Sequence, residues 1–176
     1  LRVPKGFYFV VRGDRYTYRY PTRPVAPGGR PESWTRGKVL GGSTAVNGMM
    51  WIRGAAADWD GLAARGNPGW DWRSALAAYR SMEEHSLGAS ATRGSGGPLR
   101  ISVPGNDDEV VRAILASARA HGWEQVDDNN SGDHERIGFV PSTIRRGLRT
   151  SAYSAFVRPV RGRANLTVAT RTRAGR

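Results

Sequence analysis

Apolar residues recur along this chain with two periods, and the alternation between them predicts strands mixed with helices. Tyr16, Tyr18 and Tyr20 alternate with Thr17 and Arg19, the period-2 pattern of a short strand, which must end at Pro21. Pro21, Pro24, Pro27 and Pro31 then forbid regular structure. From Thr35 to Asn47 a Gly-rich turn runs into Ala45, Val46, Met49, Met50 and Ile52, read as a loop entering a short buried helix. Helical spacing follows over 58–65 and 71–85, the second with Asp71 as N-cap and Ala75, Leu76, Tyr79 and Met82 on one side. Residues 86–98 read as a surface loop and 99–103 as a strand. A third helix begins after Asn106-Asp107-Asp108, carries Val110, Val111, Ile114, Leu115 and Ala118 on one face, and stops at His121-Gly122. Further on, 139–144 reads as a strand interrupted by Pro141, 151–160 as a short helix and 166–169 as a strand. The class expected is α/β or α+β, without internal repeats.

Composition narrows the function. The 176 residues are long enough to close a core. The longest apolar runs, Phe7 to Val11 and Gly48 to Ile52, are far short of the roughly 20 residues a membrane span needs. Zero cysteines exclude disulfides, thiolate metal sites and a Cys nucleophile, so any redox chemistry must come from a cofactor. The formal charge is +12, yet 25 of the 27 cations are Arg, scattered through every segment rather than gathered on one stripe. Solvated surface is the plain reading, and a basic nucleic-acid-binding module is the rival, marked by binding that weakens with salt. The chain opens at Leu1 and closes on Arg176 with no leader pattern, which reads as a fragment.

One segment concentrates chemistry: Arg36-Gly37-Lys38-Val39-Leu40-Gly41-Gly42-Ser43-Thr44-Ala45-Val46-Asn47-Gly48. Its glycines permit a sharp turn and close backbone approach to a ligand, Ser43 or Thr44 can cap a helix, and Arg36 and Lys38 add charge beside it. It is neither a nucleoside-triphosphate loop nor a G-x-G-x-x-G fingerprint. From the residues alone, a ligand-facing loop and a plain capping turn both stay open.

That run, continuing through Trp51-Ile52-Arg53-Gly54, Asp58-Trp59-Asp60 and Gly69-Trp70-Asp71-Trp72, resembles the first signature of the glucose–methanol–choline (GMC) oxidoreductases. Arg2-Val3-Pro4, Gly96-Gly97-Pro98-Leu99, Arg146-Gly147-Leu148-Arg149-Thr150-Ser151 and Asn165-Leu166-Thr167-Val168 fall in the family's order, so the resemblance covers nearly the whole chain. It implies an internal fragment of the N-terminal half of an FAD-dependent enzyme oxidising alcohols. The fold implied is part of a Rossmann-like FAD-binding domain, lacking its first βαβ unit, with part of the substrate-side domain. The division expected is 1–65 in the FAD-binding domain, 66–160 in the N-terminal region's helices and strands, and 161–176 as the start of a return strand.

The resemblance implies flavin contacts at Val39, Gly41, Gly42, Ser43, Asn47, Gly48, Met49 and Met50, and at Ala174 for the adenine end. Members that link FAD covalently use a His where this chain has Val46, so noncovalent FAD is expected. No catalytic residue is expected here, because the family's His pair lies near its C-terminus; the fragment alone should be inactive. A neutral imidazole is what such chemistry needs as base. Of the three histidines, His85 and His121 read as helix-end cations and His134 as a loop residue, without metal-ligand spacing. The partners implied are a small alcohol and oxygen or a quinone-type acceptor, with no nucleic acid; a cytoplasmic setting is expected. A noncatalytic truncated relic is the remaining alternative. Asp58 with Asp60, and Glu83 with Glu84, read as surface or cap positions rather than paired catalytic carboxylates. The four tryptophans from Trp51 to Trp72 read as packing.

Overall fold

The computed structural model of the chain describes residues 1–105 and 108–172. Strands and helices are interspersed, as the mixed periodicity requires. The chain divides into two compact units, Leu1–Met49 with the segment from Arg146 onward, and Met50–Arg145. By sequence the first holds 17 Lys and Arg against 2 Asp and Glu, a net +15, and the second 10 against 13, a net −3. The arginines stay spread over both units; it is the acidic residues that gather in the second, which leaves the first strongly basic.

In the first unit, helix α1 (Phe7–Arg12) precedes β1 (Thr17–Pro21), which pairs antiparallel with β2 (Ser33–Gly37) in the register Tyr18↔Arg36 and Tyr20↔Trp34. The prolines between them make the long irregular connection. Helix α1 escapes the sequence reading because its apolar run carries no polar period to mark it. The segment after Gly42 is a single 3-10 turn, Gly42–Ala45, rather than the short buried helix expected. Two glycines at positive φ precede and begin the turn, and Gly48 follows it, so no helix propagates. Residues 151–160 form a π-helical turn, Tyr153–Val157, and a 3-10 turn, Arg158–Val160, with Pro159 at its second position. The strand expected over 166–169 is absent; Leu166 N instead closes a turn on Arg163 O at 3.1 Å.

The second unit carries α2 (Ala56–Ala64), α3 (Trp72–Met82), β3 (Glu83–His85), β4 (Leu99–Ile101), α4 (Glu109–Ala120), β5 (Glu124–Gln125), β6 (Arg136–Ile137) and β7 (Ile144–Arg145), and β8 (Leu148–Arg149) lies in the first unit. β3 runs parallel to β4, and β5 to β6. Asp71 caps α3 by accepting from Ser74 N at 3.0 Å, a bond that also holds its carboxyl below the ordinary carboxylate range. Asp108 caps α4 in the same way, accepting from Val110 N and Val111 N. Helix α3 ends three residues earlier than its periodicity predicts, because Glu83–His85 pair with Leu99–Ile101 as a strand. The strand expected over 139–144 reduces to two isolated bridges at Ser142, with Met50 and Ser102, and the two residues of β7, since Pro141 cannot donate to a ladder.

The apolar core is small: Ala45, Val46, Met49 and Ala155 in the first unit, Leu99 and Ile101 in the second. Periodicity places α4 correctly but not its burial, for Val110 and Ile114 are 67% and 54% exposed. The interior of the second unit is instead polar. Glu83 and Asp128 are among the most buried side chains, which corrects the reading of Glu83 as a surface carboxylate.

Candidate functional site

The Gly-rich loop is built on the end of β2. Lys38 N donates to Tyr16 O (3.0 Å) and Gly37 N to Ser43 Oγ (3.1 Å), so the hairpin edge carries the turn. Gly41 and Gly42 take φ of 93° and 54°, the left-handed region that glycine occupies without strain. Gly42 N closes on Val39 O at 2.8 Å, and Val46 N and Asn47 N both reach Ser43 O. Ala45, Val46 and Met49 turn inward as the buried floor, while Ser43, Asn47 and Gly48 stay exposed on top. Met49 is held at φ 64°, unusual for a residue with a side chain, and its N–H is secured by Asn47 Oδ1 at 3.1 Å.

A second segment pins this loop from below. Arg149, 7% exposed, donates through Nη1 to Thr44 O (3.1 Å) and Asn47 Oδ1 (2.7 Å), and through Nη2 to Asn47 O (2.8 Å). Ala152 N donates to Thr44 Oγ1 at 2.9 Å. Among the described residues all acceptors of the Arg149 side chain are neutral oxygens and its buried Nε has no partner, and burial lowers its pKa from the usual guanidinium value. Sequence reading missed Arg149 as a site residue although it stands in the Arg146–Ser151 run that carries the resemblance. Its signal is tertiary, for the partners lie about a hundred residues upstream.

Val39, Gly41, Gly42, Ser43, Asn47, Gly48 and Met49 are therefore gathered in one ordered turn. Met50, 66% exposed, belongs to the other unit, where it bridges Ser142, and Ala174 lies outside the described residues. A Cβ added at Gly42 or Gly48 would meet nothing within 4 Å, whereas one at Gly41 would meet Ser151 Oγ and Tyr153 at about 3.2 Å. The turn thus shows a Cβ-free backbone outward and is packed behind. Asn47 Oδ1 is occupied by two donors, which leaves its amide nitrogen without a partner among the described residues. Such a surface lets a ligand with acceptor atoms approach the backbone closely. A helix dipole adds little to anion binding here, because the loop enters one 3-10 turn and not a longer helix.

In the second unit, Glu83 organises the interior. Its Oε1 accepts from Trp51 Nε1 (2.7 Å) and Arg53 Nη2 (2.5 Å), and its Oε2 from Gly94 N (3.0 Å). Arg53 also donates from Nη1 to Thr92 O (2.6 Å) and lies 5.3 Å from the Tyr79 ring centroid. Asn130 accepts from Arg53 N and donates to Trp51 O, both at 2.9 Å. Trp59 stacks on Trp70 and meets Tyr79 edge-on, and these rings line a groove of about 360 Å³ with Met82.

His85 is not a helix-end cation. It sits in β3, 4% exposed, with Nδ1 accepting from Leu87 N and Nε2 unpartnered. Burial lowers its pKa, against the opposing pull of Asp128 and Glu83. An unfolded His takes up a proton below about pH 6.5 that the folded one refuses, so stability should fall as pH drops from about 6.5 toward the folded value and be indifferent above it. Urea melts between pH 8 and 5 should show this slope in the wild type and lose it in His85→Gln. His121 does cap the end of α4, its Nδ1 2.8 Å from Ser117 O, and exposed His134 pairs with Glu124. Among the described residues no three His, Asp or Glu side chains are placed to hold a metal, and no helix is long and apolar enough to cross a membrane.

The GMC oxidoreductase family matches residues 22–176. Mitochondrial choline dehydrogenase of Mus musculus is 36% identical over 98% of this chain and 29% of its own length. The oxygen-dependent choline dehydrogenase of Brucella anthropi is 34% identical over 94% of this chain and 30% of its own. Among solved structures, pyridoxine 4-oxidase from Mesorbium loti superposes with a TM-score of 0.87 at 30% identity, covering 96% of this chain and 34% of that one. A formate oxidase of Aspergillus oryzae RIB40, studied for modification of its FAD, superposes at 0.78 with 26% identity, over 96% of this chain and 30% of that one. The chain therefore spans about three tenths of the curated relatives it matches.

Proposed function

Since this chain belongs to the GMC oxidoreductase family, we propose that it is the part of an FAD-dependent alcohol oxidoreductase that lies along the flavin, with the turn from Val39 to Met49 as the cofactor surface. The observation that carries this reading is the pair Gly42 and Gly48, whose missing side chains leave the backbone bare on the outward side alone. FAD supplies a two-electron acceptor for hydride from an alcohol carbon. This chain's own residues bind and orient: backbone at Gly41, Gly42 and Gly48 gives close approach, and Ser43 and Asn47 offer polar contacts from an exposed edge. The buried floor of Ala45, Val46 and Met49 keeps the turn dry on its inner side. The net +15 of the unit complements a cofactor with an anionic pyrophosphate. Met50 and Ala174 complete the proposed contacts, and Val46 in place of a linking His makes the association noncovalent.

The substrate is a small alcohol of the choline or pyridoxine kind, and oxygen or a quinone-type acceptor takes the electrons. The proton acceptor comes from the remainder of the complete protein: His85 is buried in a strand, and His121 and His134 are tied to Ser117 O and Glu124. The test is Gly48→Val in the complete protein. Gly48 has no positive φ and has open space above it, so the apoprotein's unfolding free energy in urea should stay within about 0.5 kcal/mol of wild type. FAD affinity should nevertheless fall at least tenfold, because the side chain occupies the ligand's place. Unchanged flavin occupancy would remove the assignment.

A further inference from the structure

Arg149 is buried, carries a full charge, and among the described residues contacts no carboxylate. Placing a guanidinium under neutral oxygens costs desolvation that neutral hydrogen bonds offset only in part. Its geometry indicates what the arrangement provides. Two of its three acceptors belong to Asn47, the side-chain Oδ1 and the main-chain carbonyl, and the third is the carbonyl of Thr44 three residues earlier. The planar fork therefore spans the turn and fixes its curvature. It also decides which way the Asn47 amide faces. Oδ1 already receives Arg149 Nη1 and Met49 N, both pure donors, so the amide cannot flip: the reversed orientation would set its NH2 against two N–H groups.

We propose that Arg149 is a positioning residue for the cofactor: it locks Asn47 with its oxygen inward and its NH2 outward, presenting a hydrogen-bond donor, never an acceptor, to an acceptor atom of the flavin. The proposal rests on the flavin reading of the turn and adds a residue and a polarity to it. Arg149 also holds Met49 in its left-handed conformation indirectly, through the shared Asn47 oxygen.

The polarity makes the idea testable apart from any role of Arg149 in stability. In the complete protein, Asn47→Asp retains an oxygen for Arg149 and Met49 and adds a charge partner for the guanidinium, yet has no donor left to offer. The thermal midpoint should hold or rise while FAD affinity drops at least tenfold and the visible band of the remaining bound flavin shifts. Arg149→Met should weaken FAD to a similar degree, and the double variant Arg149→Met with Asn47→Ala should bind no worse than Asn47→Ala alone, since both remove one device. Should Arg149→Met fail to fold, Arg149→Lys keeps the charge but reaches fewer oxygens, and intermediate FAD affinity is expected. Wild-type flavin affinity and spectrum in Asn47→Asp, or effects of Arg149 and Asn47 that simply multiply, would overturn the proposal while leaving the flavin reading intact. A complete wild-type protein that binds no FAD would overturn both, and so is a separate result.

Discussion

Replacing Glu83 by Ala should destabilise the protein by about 3–5 kcal/mol, the cost of leaving one member of a buried ion pair alone. Arg53 and Glu83 have side chains only 2% and 0% exposed, so water cannot take over from the lost carboxylate. Three donors lose their acceptor at once: Arg53 Nη2, Trp51 Nε1 and Gly94 N. Arg53 already has an unpartnered Nε, which leaves it little to fall back on beyond Thr92 O. Glu83→Gln should cost less than Ala, keeping one acceptor for the tryptophan or the arginine. Adding Arg53→Met to Glu83→Ala should restore part of the loss, because the stranded charge goes with it. Urea denaturation midpoints of the four proteins give the answer, and a shift of under 1 kcal/mol for Glu83→Ala would mean that the pair is hydrated and the buried hub is not the centre of this unit.

A single methyl group at Gly37 should have an effect of comparable size, about 3 kcal/mol, at the upper end for overpacking. An added Cβ would lie 2.6 Å from the carbonyl carbon of Gly42 and 2.9 Å from Ser43 N, both main-chain atoms that no rotamer change can move. Relief requires the whole turn to lift from β2, and that breaks the Gly37 N to Ser43 Oγ bond at 3.1 Å. Gly37 has an ordinary backbone conformation, so the penalty is one of space and not of strain. On the proposed function the flavin should go with the turn: Gly37→Ala is expected to lower both the melting temperature and the FAD affinity, more than tenfold for the latter. Gly48→Val separates the two readouts, lowering affinity alone. A Gly37→Ala protein with wild-type stability would show that the turn does not rest on the hairpin edge.

Where a periodic or capping pattern marks an element, the sequence had already disclosed it, and α1, whose apolar run has no such pattern, is the local exception. The alternating tyrosines mark β1, and the 3.6-residue recurrence of apolar positions marks α2, α3 and α4; Asp71 and Asp108 stand at the caps of α3 and α4, because capping involves atoms two or three residues apart. The Gly-rich turn was legible for the same reason, its glycines reporting a backbone that a Cβ would obstruct, and the long run from Gly37 to Trp72 was enough to identify the family. Elements whose definition lies elsewhere in the chain were not legible. The end of α3 at Met82 depends on Leu99–Ile101 arriving beside Glu83–His85, and no propensity within 71–85 encodes that arrival.

The amino-acid sequence by itself determined the class of fold, the family, the place of the candidate loop and the want of any cysteine or long apolar span. Only the tertiary structure decided which charges are buried. Glu83 and Glu84 are neighbours of one residue type, yet the first meets Arg53, Trp51 and Gly94 in the interior while the second pairs with Arg100 at the surface. Likewise Arg149 is one of 25 arginines until the chain brings Thr44 and Asn47 over it. The reason is physical: burial and ionic partnership are properties of groups brought together across tens of residues, where the low dielectric of the interior makes a misplaced charge costly and a matched one structural.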